Sequence, residues 1–179
     1  MKSVFIAFYL LTIASFALAD STSPYVGQEQ REIKALSPQE VEGYLTGKGL
    51  GYAKAAELNH YPGPKHVLEI AQDLALTEMQ ITQTQAIFDE MQTKAVDLGK
   101  QLVDKEKSLD QLFANGAIDA KQLNTLVSAI GELQAKIRYV HLQAHLKQKT
   151  VLNQHQIHRY DQIRGYGAQG SGHEHSHFH

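Results

Sequence analysis

Between Thr77 and Phe113 apolar residues return at every seventh position. Ile81, Phe88, Ala95, Leu102 and Leu109 form one row, and Met91, Leu98 and Leu112 form a second, interrupted by Thr84 and Lys105. That spacing predicts one long amphipathic helix. A matching pair of rows follows after Asp119, with Leu123, Ile130, Ile137, Ala144 and Val151 in one and Leu126, Leu133 and Val140 in the other. Asn115-Gly116 supplies the stop between them, because both residues tolerate the left-handed conformation that ends a helix. So short a connection makes the two helices run antiparallel and zip their seams into a hairpin roughly 50 Å long at 1.5 Å rise per residue. Gly99 and Gly131 lie inside these helices at a cost of about 1 kcal/mol each relative to Ala, which predicts close backbone approach or bending at both.

Four helix starts carry the same local device. In Leu76-Thr77-Glu78-Met79-Gln80-Ile81 the Thr77 hydroxyl can accept from the Gln80 amide, and Gln80 can reach back to the Thr77 N–H, while Leu76 staples onto Ile81. Asn153 and Gln156 repeat the plan in Leu152 to Ile157. Ser37 followed by Pro38, and Asp119 followed by Ala120, mark two more starts. The fold class predicted is all-α: a long antiparallel hairpin with short N-terminal and C-terminal helices.

Before the hairpin, Ser37 opens a short helix that Gly43, Gly47, Gly49 and Gly51 should interrupt, Ala53 to Leu58 reads as helical, and Tyr61-Pro62-Gly63-Pro64 is a firm turn. His66 to Leu74 has a helical apolar stripe running into the Thr77 cap. Residues 20–36 read as a leader and docking segment in which Tyr25, Val26, Ile33 and Leu36 supply apolar surface. On the second long helix Tyr139, Leu142 and Leu146 make a further stripe on a face the seam does not use. The last helix, the N-terminal arm or a second copy of the chain could cover it, and the surplus apolar surface predicts a dimer.

Composition narrows the chemistry. Met1 to Ala19 has Lys2, an apolar run from Val4 to Leu18 and the small-x-small pattern Ala17-Leu18-Ala19, which predicts a signal peptide cleaved after Ala19, with an N-terminal membrane anchor as the alternative. An exported protein is the expectation that follows. There is no Cys among the 179 residues, so no disulfide and no thiolate chemistry is open to the chain, and any metal site must use His, carboxylate or Met. The 17 Lys and Arg residues, one of them Lys2, against 19 Asp and Glu leave no basic excess for nucleic acid. No Gly-rich phosphate loop, Ser/His/Asp set or paired catalytic carboxylates argues for an enzyme.

The segments Leu74-Ala75-Leu76-Thr77-Glu78-Met79-Gln80 and Leu152-Asn153-Gln154-His155-Gln156 resemble the Leu-Thr-x-x-Gln proteins, the Spy/CpxP group of periplasmic chaperones and stress or metal sensors. The second copy replaces Thr with Asn. The resemblance extends over about Tyr25 to Tyr166, through Gly27-Gln28-Glu29-Gln30, Ala55-Ala56-Glu57-Leu58-Asn59, Tyr61-Pro62-Gly63-Pro64 and Arg164-Gly165-Tyr166. It implies a 37–166 helical domain, a curved cradle-like homodimer, and ATP-independent holding of unfolded or misfolded exported proteins. The alternative it implies is a metal-binding or metal-sensing protein that reports to an envelope sensor protein.

Residues 167–179 read as a disordered His-rich tail. Its His173, His175, His177 and His179 stand at alternate positions, a donor set suited to zinc, copper or nickel, or a solvated low-complexity end. His141 and His145, four apart on one helix face, can share a metal only if a third ligand comes from another helix or protomer; otherwise they are hydrogen-bonded structural residues beside the seam. No cofactor is required by either reading.

Overall fold

A computed structural model describes residues 22–166. The predicted signal peptide and the His-rich tail, including His173, His175, His177 and His179, lie outside the described residues. Among the described residues every regular element is helical: α1 Pro38–Leu45, α2 Lys54–Glu57, α3 Pro64–Glu69, α4 Glu78–Ala114, α5 Ala120–Val151 and α6 Gln154–Arg164. None of these helices is long and apolar enough to cross a membrane. Residues 22–30 belong to a separate small unit, in which Val26 N–H donates to Ser23 O and Gln28 N–H to Tyr25 O, and Tyr25 and Val26 are exposed. The larger unit begins at Arg31.

All four predicted caps close both halves of their boxes. Ser37, Thr77, Asp119 and Asn153 accept from the N3 amide, and the N3 side chains of Glu40, Gln80, Gln122 and Gln156 accept the N-cap N–H in return. The reciprocal bonds satisfy backbone donors that a helix start otherwise leaves open. α3 is shorter than its apolar stripe suggests. It ends at Glu69, and residues 70–76 turn instead, with Ala75 at φ 48° and Leu76 N–H donating to Ala71 O, so that the chain can swing into the Thr77 cap.

The two long helices pair along their heptad rows in opposite directions. Met91 and Ala95 of α4 pack with Val140 and Ala144 of α5, and further along Leu102 meets the group containing Ile130, Leu133 and Ile137. Toward the helix ends the rows fail, and Ile81 and Leu123 are each more than a third exposed. A strict seven-residue repeat drifts about 20° per turn-pair around a straight helix, so rows anchored mid-seam rotate off it toward the ends. Thr84, which the pattern reads as a break, is fully buried and accepts from Gln148 Nε2 at 3.0 Å, making a polar rung inside the seam.

The segment before α2 packs on α4 and shares a core with α5. Ile33, Leu36 and Tyr44 join Leu102 and Val103 in the largest core, and ion pairs from Lys34 to Asp110 and from Glu32 to Lys107 fasten the same segment. Gly99 permits that contact: a Cβ there would stand 2.1 Å from the carbonyl oxygen of Tyr44. Gly131 makes no such approach, since nothing lies within 4 Å of the equivalent position, and the expectation of close packing holds for Gly99 alone. α6 turns its apolar face to the arm rather than to the stripe on α5, with Ile157 and Tyr160 packed on Val67, Leu74 and Leu152.

Candidate functional site

The arm between α2 and α3 is tied down by groups from both α5 and α6. Glu57, at the end of α2, accepts on Oε1 from the hydroxyls of Tyr160 at 2.6 Å and Tyr166 at 2.9 Å, with Arg164 Nε 3.5 Å away. The Tyr160 hydroxyl in turn accepts from Gly63 N–H at 3.4 Å. Burial pushes the Tyr160 phenol upward and the hydrogen bond to Glu57 adds to it, so it stays a donor at neutral pH. His60 Nδ1 meets Asp161 Oδ2 at 2.8 Å, and Lys149 Nζ sits 3.5 Å above the Tyr61 ring. Residues 57–63 are therefore held against α5 and α6 by hydrogen bonds, charge and an aromatic contact together.

His145 is part of this anchor. Its Nδ1–H donates to the Tyr61 carbonyl at 2.7 Å, which fixes the ring's orientation and leaves Nε2 as the lone-pair nitrogen of the neutral ring. Gly63 lets the ring in: a Cβ there would stand 2.9 Å from His145 Cε1 and 3.1 Å from Nε2. One turn earlier on α5, His141 is 3% exposed, and its Nε2 is buried with no hydrogen-bond partner. Burial, with the neighbouring His145 adding, pushes the His141 pKa down to about 4, so the ring is neutral over the physiological range. A buried polar atom left unpaired is uncommon in folded proteins and costs on the order of 1–3 kcal/mol.

Both imidazoles line a cavity of about 500 Å3 between the arm and the hairpin. Leu50, Phe88 and Met91 give it an apolar floor, while Lys48, Lys54, Lys65 and Arg164 stand around it with Glu57 as the one carboxylate. Gly49 is opposite His141, where a Cβ would lie 3.8 Å from Nδ1. The size falls within the range of small-ligand sites, and the lining combines apolar wall with a few convergent polar groups.

Among the described residues, no three His, Cys, Asp or Glu side chains come together in a group able to hold a metal ion. The predicted pair His141 and His145 thus shares one face and one cavity, without a third imidazole or carboxylate grouped with it among the described residues. His145 fits the structural reading of the pair, through its bond to Tyr61; His141, unpartnered at Nε2, does not. The other predicted residues fall elsewhere. Tyr139 is 62% exposed and Leu146 57%, Leu142 is half-buried, and neither the arm nor α6 covers the first two. Thr77, Gln80, Asn153 and Gln156 are caps, as above.

Glu57, Arg164, Tyr160 and Tyr166 had no assigned role in the sequence reading. The signal was present only as family-like segments, Ala55 to Asn59, Tyr61 to Pro64 and Arg164 to Tyr166, whose mutual contact no local pattern predicts. No family model matches the chain, and no curated protein or solved structure matches it either.

Proposed function

We propose that this is an exported metal-binding or metal-sensing protein of the periplasm whose site is the cavity at His141 and His145. One observation carries the reading: His141 Nε2 is buried without a partner, one helical turn from a second imidazole whose Nδ1 is committed to a backbone carbonyl. A carbonyl bond at the second nitrogen is how metal-binding histidines are usually oriented, and a desolvated, neutral ring keeps its lone pair available. The tail histidines are a second, looser set of donors under the same reading, because ordering a flexible segment opposes tight binding.

The test is calorimetric titration of the full chain carrying His173→Asn, His175→Asn, His177→Asn and His179→Asn with Zn2+, Ni2+ and Cu+ in turn. Binding of at least one ion, weakened tenfold or more by His145→Gln, is expected. No binding of any of the three ions by this chain would end the reading.

A second reading, ATP-independent holding of unfolded exported proteins, is supported by the exposure of Tyr139 and Leu146 on the outer face of α5. The Spy/CpxP resemblance supports it as well, and the same face would serve a cradle-like dimer. Light scattering from a chemically denatured client should fall in the presence of the protein, and fall less with Tyr139→Ser and Leu146→Ser combined. Sedimentation at tens of micromolar then separates the dimer from the client role: a strictly monomeric, client-suppressing protein would remove the dimer alone.

A further inference from the structure

The cavity specifies more than a metal in general. Resting on the metal reading above, we propose that it takes a soft monovalent cation, Cu+, held by the imidazoles of His141 and His145 and the thioether of Met91.

Met91 supplies a donor that is neither carboxylate nor imidazole. It lies on α4, lines the same cavity as the two histidines, and packs in one cluster with Val140 and Ala144, the residues that immediately precede His141 and His145. The three side chains therefore line one cavity, two from α5 and one from α4. Thioether sulfur is a soft donor that selects Cu+ over harder cations, and imidazole suits copper as well.

The single carboxylate of the cavity, Glu57, is committed on one oxygen only, and its Oε2 is buried with no hydrogen-bond partner. Glu57 Oε1 already takes two hydroxyl donors and lies near Arg164, and the His145 atom facing its Oε2 is Nδ1, at 3.7 Å, the nitrogen that Tyr61 orients. Its charge is answered by Arg164. The proposed ligand set of two imidazoles and a thioether is electrically neutral, and of the cations around the opening Lys48 pairs with Glu42, Lys65 lies 3.7 Å from Glu69 and Arg164 stands near Glu57. Placing a divalent ion on three neutral donors beside the low-dielectric wall of Leu50 and Phe88 costs more than placing a monovalent one, since the desolvation penalty rises steeply with charge. Cu+, with its filled d shell, accepts few ligands and no fixed geometry, which suits three donors on two rigid helices.

The experiment uses the full chain with the four tail histidines replaced by Asn as above, titrated anaerobically with Cu+ against a chromophoric Cu+ chelator and separately with Zn2+ by calorimetry. One Cu+ per chain is expected, bound at least a hundredfold more tightly than Zn2+, with a sulfur neighbour in the copper X-ray absorption spectrum. Met91→Leu conserves side-chain volume and so leaves the helical signal and melting temperature nearly unchanged; it should weaken Cu+ at least tenfold and remove the sulfur neighbour. Zn2+ or Ni2+ bound as tightly as Cu+, or Cu+ bound with nitrogen neighbours only and indifferent to Met91→Leu, would overturn this proposal while leaving the metal reading in place. Failure of every ion to bind would overturn both.

Discussion

The side-chain amides of Gln80 and Gln156 hydrogen-bond to each other in both directions, at 2.9 and 3.0 Å, although 76 residues separate them. Each also serves its own cap: Gln80 Oε1 accepts Thr77 N–H, and Gln156 Oε1 accepts Asn153 N–H. Their Nε2 groups reach further, Gln80 to Val151 O at 2.9 Å and Gln156 to Leu74 O at 3.3 Å. Two capping motifs that look independent in the sequence form one closed joint between the starts of α4 and α6. Only an amide can do this, because the cap needs an acceptor and the joint needs a donor on the same side chain.

Gln80→Glu separates the two roles. A carboxylate at N3 would preserve the capping box and favour the helix dipole, so local rules alone expect a neutral or slightly stabilising change. The joint predicts the opposite sign. Loss of the donor to Val151 O and Gln156 Oε1 should cost about 1–3 kcal/mol in urea denaturation at neutral pH. For comparison, Thr77→Ala, which removes a cap and leaves the joint, should cost about 1 kcal/mol. A Gln80→Glu protein as stable as the parent would mean that the amide pair contributes nothing.

The two interior glycines of the hairpin should respond in opposite directions to the same substitution. Gly99→Ala forces a methyl against the backbone of Tyr44, at 2.1 Å from its carbonyl oxygen, and should lower stability by about 2 kcal/mol or more. Gly131→Ala meets only open space and removes an unfolded-state entropy cost, so it should raise stability by about 0.5–1 kcal/mol. Thermal denaturation of the two variants side by side decides the matter.

The Thr84–Gln148 rung is a polar pair in an apolar seam, and Gln148 Oε1 has no partner there. Thr84→Val leaves the buried Gln148 amide without its acceptor and should cost about 1–3 kcal/mol. Adding Gln148→Leu removes the stranded group, so the double variant should recover most of the loss or exceed the parent. Denaturant midpoints for the single and double variants check the sign of that coupling.

Acid should weaken the metal-free protein through His141. Its pKa is about 4 in the fold, against an ordinary value of 6.5, so between those values the unfolded chain binds a proton that the folded chain refuses. Stability from this group is complete above about pH 6.5, declines as pH falls, and is fully lost near pH 4, a total on the order of 3 kcal/mol. His145 acts on the ring directly, and Glu57, His66, Lys48, Lys54, Lys65 and Arg164 line the same cavity. Comparison with His141→Phe in the presence of a chelator cancels their contribution: the parent should lose stability between pH 6.5 and 4 more steeply than the variant, and parallel curves would remove His141 as the cause.

The sequence by itself determined the two long helices and the four capped helix starts. Heptad rows, Ser, Thr, Asp and Asn caps and the Asn115-Gly116 stop are local signals, readable because a helix closes its hydrogen bonds within a few residues and its faces repeat every few more. Local signals also found His141 and His145, which are neighbours on one helical face. What only the tertiary structure decided is everything that depends on distant chain segments meeting. That Glu57 meets Tyr160 and Tyr166, that Met91 shares a cavity with the histidines, that Gly99 rather than Gly131 admits a crossing segment, and that Gln80 pairs with Gln156 are all fixed by how the arm and α6 dock. Docking depends on shape and burial summed over many residues, and no periodicity in the chain encodes which buried nitrogen it will leave without a partner.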